Sequence, residues 1–323
     1  MKCLVTGAAG FIGSSLSEEL IRLGHQVVGV DCFLDYYPRM FKEANLEQLR
    51  ASSQFTLVEQ SILEADLDSL LSGVEVVFHL AAQAGVRASW GKNFEIYTEN
   101  NIRATQRLLE ACKDIKLKKF IYASSSSVYG EVRSLPMKET DYPSPVSPYG
   151  VSKLAAEHLV YLYWKNFNIP TISLRYFTVF GPRQRPDMAF HKFLAASLMN
   201  KPIELYGSGE QTRDFTYIAD IVRAHILAVE SSAEGEVFNI GGGNRLSLAS
   251  AIAVIEQIVG RKLTIATRPA QKGDASHTYA DISKAANILG FQPMVSIREG
   301  LEREFVWLKN FWNKNKGKEY VYR

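Results

Sequence analysis

The sequence predicts an α/β fold: a doubly wound parallel sheet followed by a smaller C-terminal α+β domain. Three observations carry this. Short, nearly continuous apolar runs alternate with helical stretches through the first half. A glycine-rich turn joins the first run to the first helix. The alternation breaks after about Phe180, where Pro182, Pro186, Pro202, Gly207 and Gly209 punctuate the chain.

The apolar runs are Cys3–Thr6, Val27–Val30, Phe55–Val58, Val74–His79, Phe120–Ala123 and Thr171–Leu174. They are rich in Val, Ile and Phe, as strands buried on both faces of a parallel sheet are. Helical segments separate them near Ile12–Leu23, Leu46–Arg50, Ile96–Lys113 and Tyr149–Phe167, and a βαβα rhythm implies a doubly wound sheet. Residues 1–180 are therefore assigned to the first domain, with a return to its sheet near 215–245, centred on Val237–Ile240. Residues 181–323 form mainly the second domain.

Of 323 residues, 46% are hydrophobic and 22% charged, a composition that excludes a disordered or fibrous chain. The net charge of +3 gives little support to nucleic-acid binding and suits a small anionic substrate. No apolar run approaches a membrane span, and no signal-peptide pattern precedes the first strand. Cys3, Cys32 and Cys112 fit neither a zinc site nor a disulfide framework. Cys3 and Cys32 fall in predicted buried strands and read as core packing. These features predict a soluble cytoplasmic protein with no bound metal and no membrane or nucleic-acid partner.

The glycine-rich turn reads Thr6-Gly7-Ala8-Ala9-Gly10-Phe11-Ile12-Gly13. Gly7 suits the tight turn, Gly10 lets backbone approach a pyrophosphate, and Gly13 lets the helix pack closely. The helix N-terminus adds N–H groups and partial positive charge. A glycine pattern is weak alone, but its place between strand and helix identifies a dinucleotide loop. Asp31 ends the second strand, 18 residues beyond Gly13. An acid there accepts from both adenine-ribose hydroxyls and repels a 2′-phosphate. No arginine follows at once, so NAD is expected over NADP.

Tyr149-Gly150-Val151-Ser152-Lys153 places a tyrosine and a lysine four apart, on one helix face. Ser147 is a plausible cap and Pro148 a good first-turn residue. An ammonium and a cationic nicotinamide ring would both favour the phenolate, which can take a proton from a substrate alcohol while hydride leaves the same carbon. Ser124–Ser127 end a predicted strand, and ligands bind at the carboxyl ends of parallel strands. Their hydroxyls can relay protons and bind substrate oxygens.

Together with His79-Leu80-Ala81-Ala82, Ser-Ser-Val-Tyr-Gly at 126–130 and Arg213-Asp214-Phe215-Thr216-Tyr217-Ile218-Ala219-Asp220, these motifs resemble the extended short-chain dehydrogenase/reductases over essentially the whole chain. Within them the nucleotide-sugar 4-epimerases match best. The resemblance implies a Rossmann sheet, with Tyr149 as base, Lys153 as its electrostatic partner and Ser125 in the catalytic serine/threonine position. It implies that Gly7, Ala9, Gly10, Phe11, Ile12, Gly13, Asp31, Ser61, Ile62, Leu80, Ala81, Ala82 and Tyr176 meet the cofactor and that Asn101 supports it through its helix. Arg213 would meet a phosphate of the sugar nucleotide and Asp274 its ribose. Ser61 stands where an acid usually contacts adenine, and Gln271 where an arginine is usual.

Ala81-Ala82-Gln83-Ala84-Gly85-Val86-Arg87 and the stretch from Arg175 to Phe190 look like UDP-glucuronic acid 4-epimerases. That likeness puts Arg87, Ser125, Ser126, Ser127, Thr178, Arg185, Met188 and Phe190 in the substrate site. Arg185 offers a planar fork for a C6 carboxylate. Ser126 and Ser127 stand where 4,6-dehydratases carry Asp-Glu, and Ser127 where decarboxylases carry Glu. The reading is 4-epimerisation of UDP-glucuronate to UDP-galacturonate through a 4-keto sugar. A UDP-glucose or N-acetyl-sugar 4-epimerase, a UDP-glucuronate decarboxylase and a non-catalytic NAD sensor are the alternatives. The wide apolar faces at Asn93–Lys113 and Tyr149–Phe167 predict a homodimer.

Overall fold

The computed structural model of the chain describes residues 1–131, 134–269, 273 and 275–315. It opens with β1 (Lys2–Thr6), α1 (Phe11–Arg22), β2 (Gln26–Val30), α2 (Arg39–Leu46), β3 (Phe55–Val58), α3 (Leu67–Leu71) and β4 (Val76–His79). Then come α4 (Phe94–Tyr97), a π-helical stretch at Thr98–Arg103, α5 (Ala104–Ala111), β5 (Lys119–Ser125), α6 (Pro148–Phe167), β6 (Thr171–Tyr176) and β7 (Thr178–Phe180). The remainder is α7 (Ala189–Leu198), β8 (Ile203–Tyr206), β9 (Thr212–Tyr217), α8 (Ile218–Glu230), β10 (Glu236–Ile240), β11 (Asn244–Ser247), α9 (Leu248–Val259), β12 (Ile265–Arg268), α10 (Ser283–Leu289) and α11 (Ile297–Lys314).

Seven strands form a wholly parallel sheet in the order β10-β6-β5-β4-β1-β2-β3. The central strands β1, β4, β5 and β6 are buried on both faces because their side chains alternate between two cores. Cys3 and Val5 join Leu16 and Leu20 of α1 on one side. Leu4, Val77, Phe120 and Tyr122 meet Leu108 and Leu109 of α5 and Val160 of α6 on the other. The order of winding reverses between β1 and β4, which opens a crevice at their carboxyl ends. The smaller lobe holds a three-stranded sheet, β11-β9-β7, and a two-stranded one, β12-β8.

Three local expectations change. The helix expected at Leu46–Arg50 is instead α2, ending at Leu46, followed by a short 3₁₀ turn at Leu49–Ala51. The single helix expected at Ile96–Lys113 is divided by the π-helical stretch. Cys32 lies two residues past β2 and is exposed, whereas Cys3 and Cys112 are buried.

Candidate active site

The crevice is lined by Gly7, Gly10, Phe11, Ile12 and Gly13 on one side and by Leu80, Ala81 and Ala82 on another, with Asp31, Ser61, Ile62, Tyr149, Lys153, Tyr176 and Arg185 around them. Gly7 has φ +71°, and a Cβ there would approach the Ala81 nitrogen to 3.0 Å. A Cβ at Gly13 would lie 2.1 Å from the Gly7 oxygen. The close approach at Gly13 is therefore to the turn itself, not to the strand. No side chain caps α1, so its N-terminus is open to an anion. An uncapped helix end, glycines without room for Cβ atoms and an acid at the end of β2 together fit a dinucleotide.

Ala9 sits beneath this surface. Its N–H donates to Asp31 Oδ2 at 3.1 Å, and its carbonyl accepts from Asn45 Nδ2 at 3.0 Å. Asp31 also accepts from Phe33 N–H at 2.8 Å and pairs with Lys42 Nζ at 2.9 Å. Lys42 lies eleven residues beyond Asp31, in a helix whose spacing gave no sign that it turns inward. Tyr176 shows its ring to the cleft, because its hydroxyl donates to His225 Nε2 at 2.7 Å while His225 Nδ1 donates to the Ile221 carbonyl.

A buried chain holds the opposite wall. Asn101 receives the Gln83 N–H at 2.7 Å, and its Nδ2 donates to the Gln83 carbonyl at 3.0 Å and to Ser152 Oγ at 2.9 Å. Ser152 in turn donates to the Tyr149 carbonyl at 2.8 Å. Thr105 donates to the Asn101 carbonyl, so it accepts from His79 Nε2 at 2.9 Å. His79 Nδ1 is then the acceptor for Thr6 Oγ1 at 2.8 Å, and Thr6 accepts from Leu80 and Ala81 N–H. Burial pushes His79 down to about 3, consistent with the neutral ring this chain of bonds requires.

Helix α6 starts as its sequence dictates: Ser147 Oγ accepts from Gly150 N–H at 3.1 Å, and Pro148 takes the first turn. Burial raises the Tyr149 pKa, and a hydrogen bond with Ser125 and the charge of Arg185 act against that rise. Lys153 is the second cation near this face of the helix. Its amine lies over the Tyr122 ring, 4.6 Å from the centroid, and burial lowers it to about 7 against the opposing charge of Glu157. Glu157, one turn further along α6, receives the Ser124 hydroxyl and the Arg175 guanidinium, with Arg175 Nε at 3.0 Å. The pairing of Glu157 with Arg175 has no signal in the sequence, since only the fold brings β5, β6 and α6 together.

Beside the dinucleotide crevice lies a smaller cleft lined by Val86, Ser126, Ser127, Ser147, Thr178, Arg213 and Gly273. Ser125, whose Oγ accepts from Ser127 N–H at 3.1 Å, lies at the end of β5 next to both. Arg213 Nη1 donates to the Thr212 and Ser276 carbonyls at 2.9 and 3.2 Å. Arg87 stacks on Tyr206 with its guanidinium carbon 4.6 Å from the ring centroid, and it lines neither cleft. Met188 flanks α7 and also lines neither. Phe190, expected in the substrate site, lines neither cleft. Its ring is 1% exposed, stacks on Phe215 at 4.5 Å and meets Phe180 edge-on, so it belongs to the core of the smaller lobe. Asp274 and Gln271 lie outside the described residues.

The model of the NAD dependent epimerase/dehydratase family matches residues 3–241. The chain is 48% identical over 315 residues to a Bacillus subtilis protein described as an uncharacterized UDP-glucose epimerase, covering 97% of this chain and 99% of that one. It is 39% identical to the UDP-glucuronate 4-epimerase of Thermodesulfobacterium geofontis, over 95% of each. A crystal structure of UDP-glucuronic acid 4-epimerase from Bacillus cereus, in complex with UDP-glucuronic acid and NAD, superposes with a TM-score of 0.94 at 49% identity. It covers 96% of this chain and 100% of that one.

Proposed function

The chain belongs to the NAD-dependent epimerase/dehydratase family, and from that premise we propose that it is an isomerase converting UDP-glucuronate to UDP-galacturonate at C4, with bound NAD. The observation that carries the choice of sugar is Arg185. It lines the crevice that holds Tyr149, and its charge acts on that tyrosine. A uronic acid nucleotide brings a planar carboxylate that matches a guanidinium. UDP-glucose, which the Bacillus subtilis relative's description names, has a neutral hexose and gives Arg185 no C6 carboxylate to meet.

NAD, when bound, supplies the acceptor and later the donor of the C4 hydride. The residues do the rest. Tyr149 takes the C4 hydroxyl proton as phenolate and returns it at the end. Ser125, already hydrogen-bonded to Tyr149, holds the same substrate oxygen. Lys153 in its ammonium form favours the phenolate. Ser126, Ser127 and Thr178, on the wall of the smaller cleft, hold the sugar in two orientations, so that either face of the 4-keto intermediate can meet the nicotinamide.

The test is Tyr149→Phe combined with Ser125→Ala. Turnover of UDP-glucuronate should vanish while NAD stays bound, and near-normal turnover would sink the scheme. UDP-glucose assayed beside UDP-glucuronate separates the neutral-sugar reading, and CO₂ release separates the decarboxylase reading.

The homodimer rests on Ile96 of α4 and Val151, Tyr161 and Leu162 of α6, all 44–49% exposed. Among the described residues no helix is long and apolar enough to cross a membrane. The three free cysteines suit the reducing cytoplasm.

A further inference from the structure

Arg185 and Asp187 stand two residues apart in the turn between β7 and α7. Arg185 Nε donates to Asp187 Oδ1 at 2.9 Å and Nη2 to Oδ2 at 3.0 Å. The hydroxyl of Tyr36, from the loop after β2, donates to the same Oδ2 at 3.3 Å. Residue 85 makes room for that hydroxyl by being glycine. A Cβ there would lie 2.1 Å from the Tyr36 oxygen, and φ is +102°.

A guanidinium has two edges that can each offer a pair of parallel N–H groups. Asp187 occupies the edge formed by Nε and Nη2. The edge formed by Nη1 and the second Nη2 hydrogen lies outside this pair. We propose that Asp187 is a positioning residue for Arg185. It fixes the plane of the guanidinium so that the remaining edge receives the sugar carboxylate, and Tyr36 fixes Asp187. This inference rests on the uronic acid reading above.

Several observations converge on it. An arginine held at one edge has lost its rotamer freedom before substrate arrives, so binding does not have to order it. The pair is neutral as a unit, so it selects a carboxylate by geometry and not by excess positive charge. Burial pushes the Asp187 carboxyl up, but Arg185 more than offsets this and holds it below the ordinary carboxylate range. Tyr36 comes from the loop that follows Asp31 and lines the dinucleotide crevice with Arg185. The same loop therefore borders the cofactor and steadies the arginine.

The experiment compares Asp187→Ala, Asp187→Asn and Tyr36→Phe with wild type, each as the full NAD-loaded chain. Initial rates with UDP-glucuronate are measured beside inhibition by UDP. For Asp187→Ala, kcat/KM should fall about tenfold or more, mainly through KM, which is the scale of losing one well-placed charged contact. Tyr36→Phe should lose about threefold, and Asp187→Asn should fall between. The inhibition constant for UDP should stay unchanged in all three. An unchanged kcat/KM overturns the inference. So does a lower KM, which would make Asp187 a competitor of the substrate, and so does a parallel loss of UDP affinity, which would make it structural. If Asp187→Ala does not fold, Tyr36→Phe decides by the same criteria. A wild-type chain that neither binds nor turns over UDP-glucuronate overturns both readings. A wild type that does, with unchanged variants, overturns this one alone.

Discussion

Lys42 Nζ lies 2.9 Å from Asp31 Oδ1, and both side chains are buried. Asp31 therefore does not exclude a 2′-phosphate by bare negative charge. On the reading of Asp31 as the ribose contact, discrimination comes from carboxylate oxygens held in place by Lys42 and by the Ala9 N–H. Asp31→Asn keeps the shape and leaves an unpaired ammonium where a 2′-phosphate would sit. NADP affinity should rise relative to NAD by roughly ten- to a hundredfold, about 1.4–2.7 kcal/mol. The chain should also lose about 3–5 kcal/mol of stability, as buried pairs do when one partner goes. Calorimetric titration of both dinucleotides checks this, and an unchanged ratio would count against the assignment.

Glu157 opposes the burial that lowers Lys153 to about 7. In Glu157→Gln that support is gone and Arg175 keeps an uncompensated charge, so the Lys153 pKa must fall further. The ammonium proposed to favour the Tyr149 phenolate is then lost at lower pH. The alkaline limb of the kcat profile should move down by about one unit, the lower end of what a nearby charge does. A profile that stays put, or moves upward, refutes the role.

Phe190→Ala separates the core position seen in the fold from the substrate contact that its motif suggested. Deleting a ring packed between Phe180 and Phe215 should cost about 3–5 kcal/mol. Below the melting transition, KM should not change. A raised KM with normal stability would restore the substrate role.

Burial pushes three histidines down, His79 to about 3 and His191 and His225 to about 4. Their folded values lie below the ordinary one of about 6.5, so the unfolded chain binds protons first. The stability they support is complete above about pH 6.5 and is lost as pH falls, at up to about 1.4 kcal/mol per unit for each. Denaturant midpoints should drop between about pH 6.5 and 5. Glu304 has the opposite sign. Burial raises its carboxyl well above its ordinary value, while the Gly181 N–H acts against that rise. Its contribution is present below its unfolded pKa and is lost as pH rises toward the folded one. Lys153 runs against it above about 7, so the difference between Glu304→Gln and wild type is the quantity to follow. The variant should gain relative stability as pH rises, and a flat difference would contradict the buried neutral acid.

What was legible in the sequence was what is local in the chain. Strands such as Val76–His79 and Thr171–Tyr176 are nearly continuous apolar runs because both faces are covered. The dinucleotide turn and the Tyr149–Lys153 pair each fit within eight residues. Helix α2 was misplaced because Arg39, Lys42 and Glu43 hide its apolar face, although Pro38 marked its start. The division at Thr98–Arg103 escaped because apolar spacing reports which side is buried and not which carbonyl each N–H meets. Lys42, Tyr36 and Arg175 escaped because their partners come from other elements. Asp187 sat in view two residues from Arg185, but nothing in its spacing says that it grips one edge of that arginine.

The single amide of Asn101 holds Gln83 by both its backbone groups and also reaches Ser152, the residue that ties back to the Tyr149 carbonyl. The crevice wall at Gln83 and the helix bearing Tyr149 are thus indexed to one side chain. Neither can be adjusted without the other, so the position of the phenol relative to that wall is a shared coordinate and not a tunable one. A change of preferred sugar, natural or engineered, has to be made across the gap, on the serine turn and around Thr178, away from the groups that Asn101 bonds.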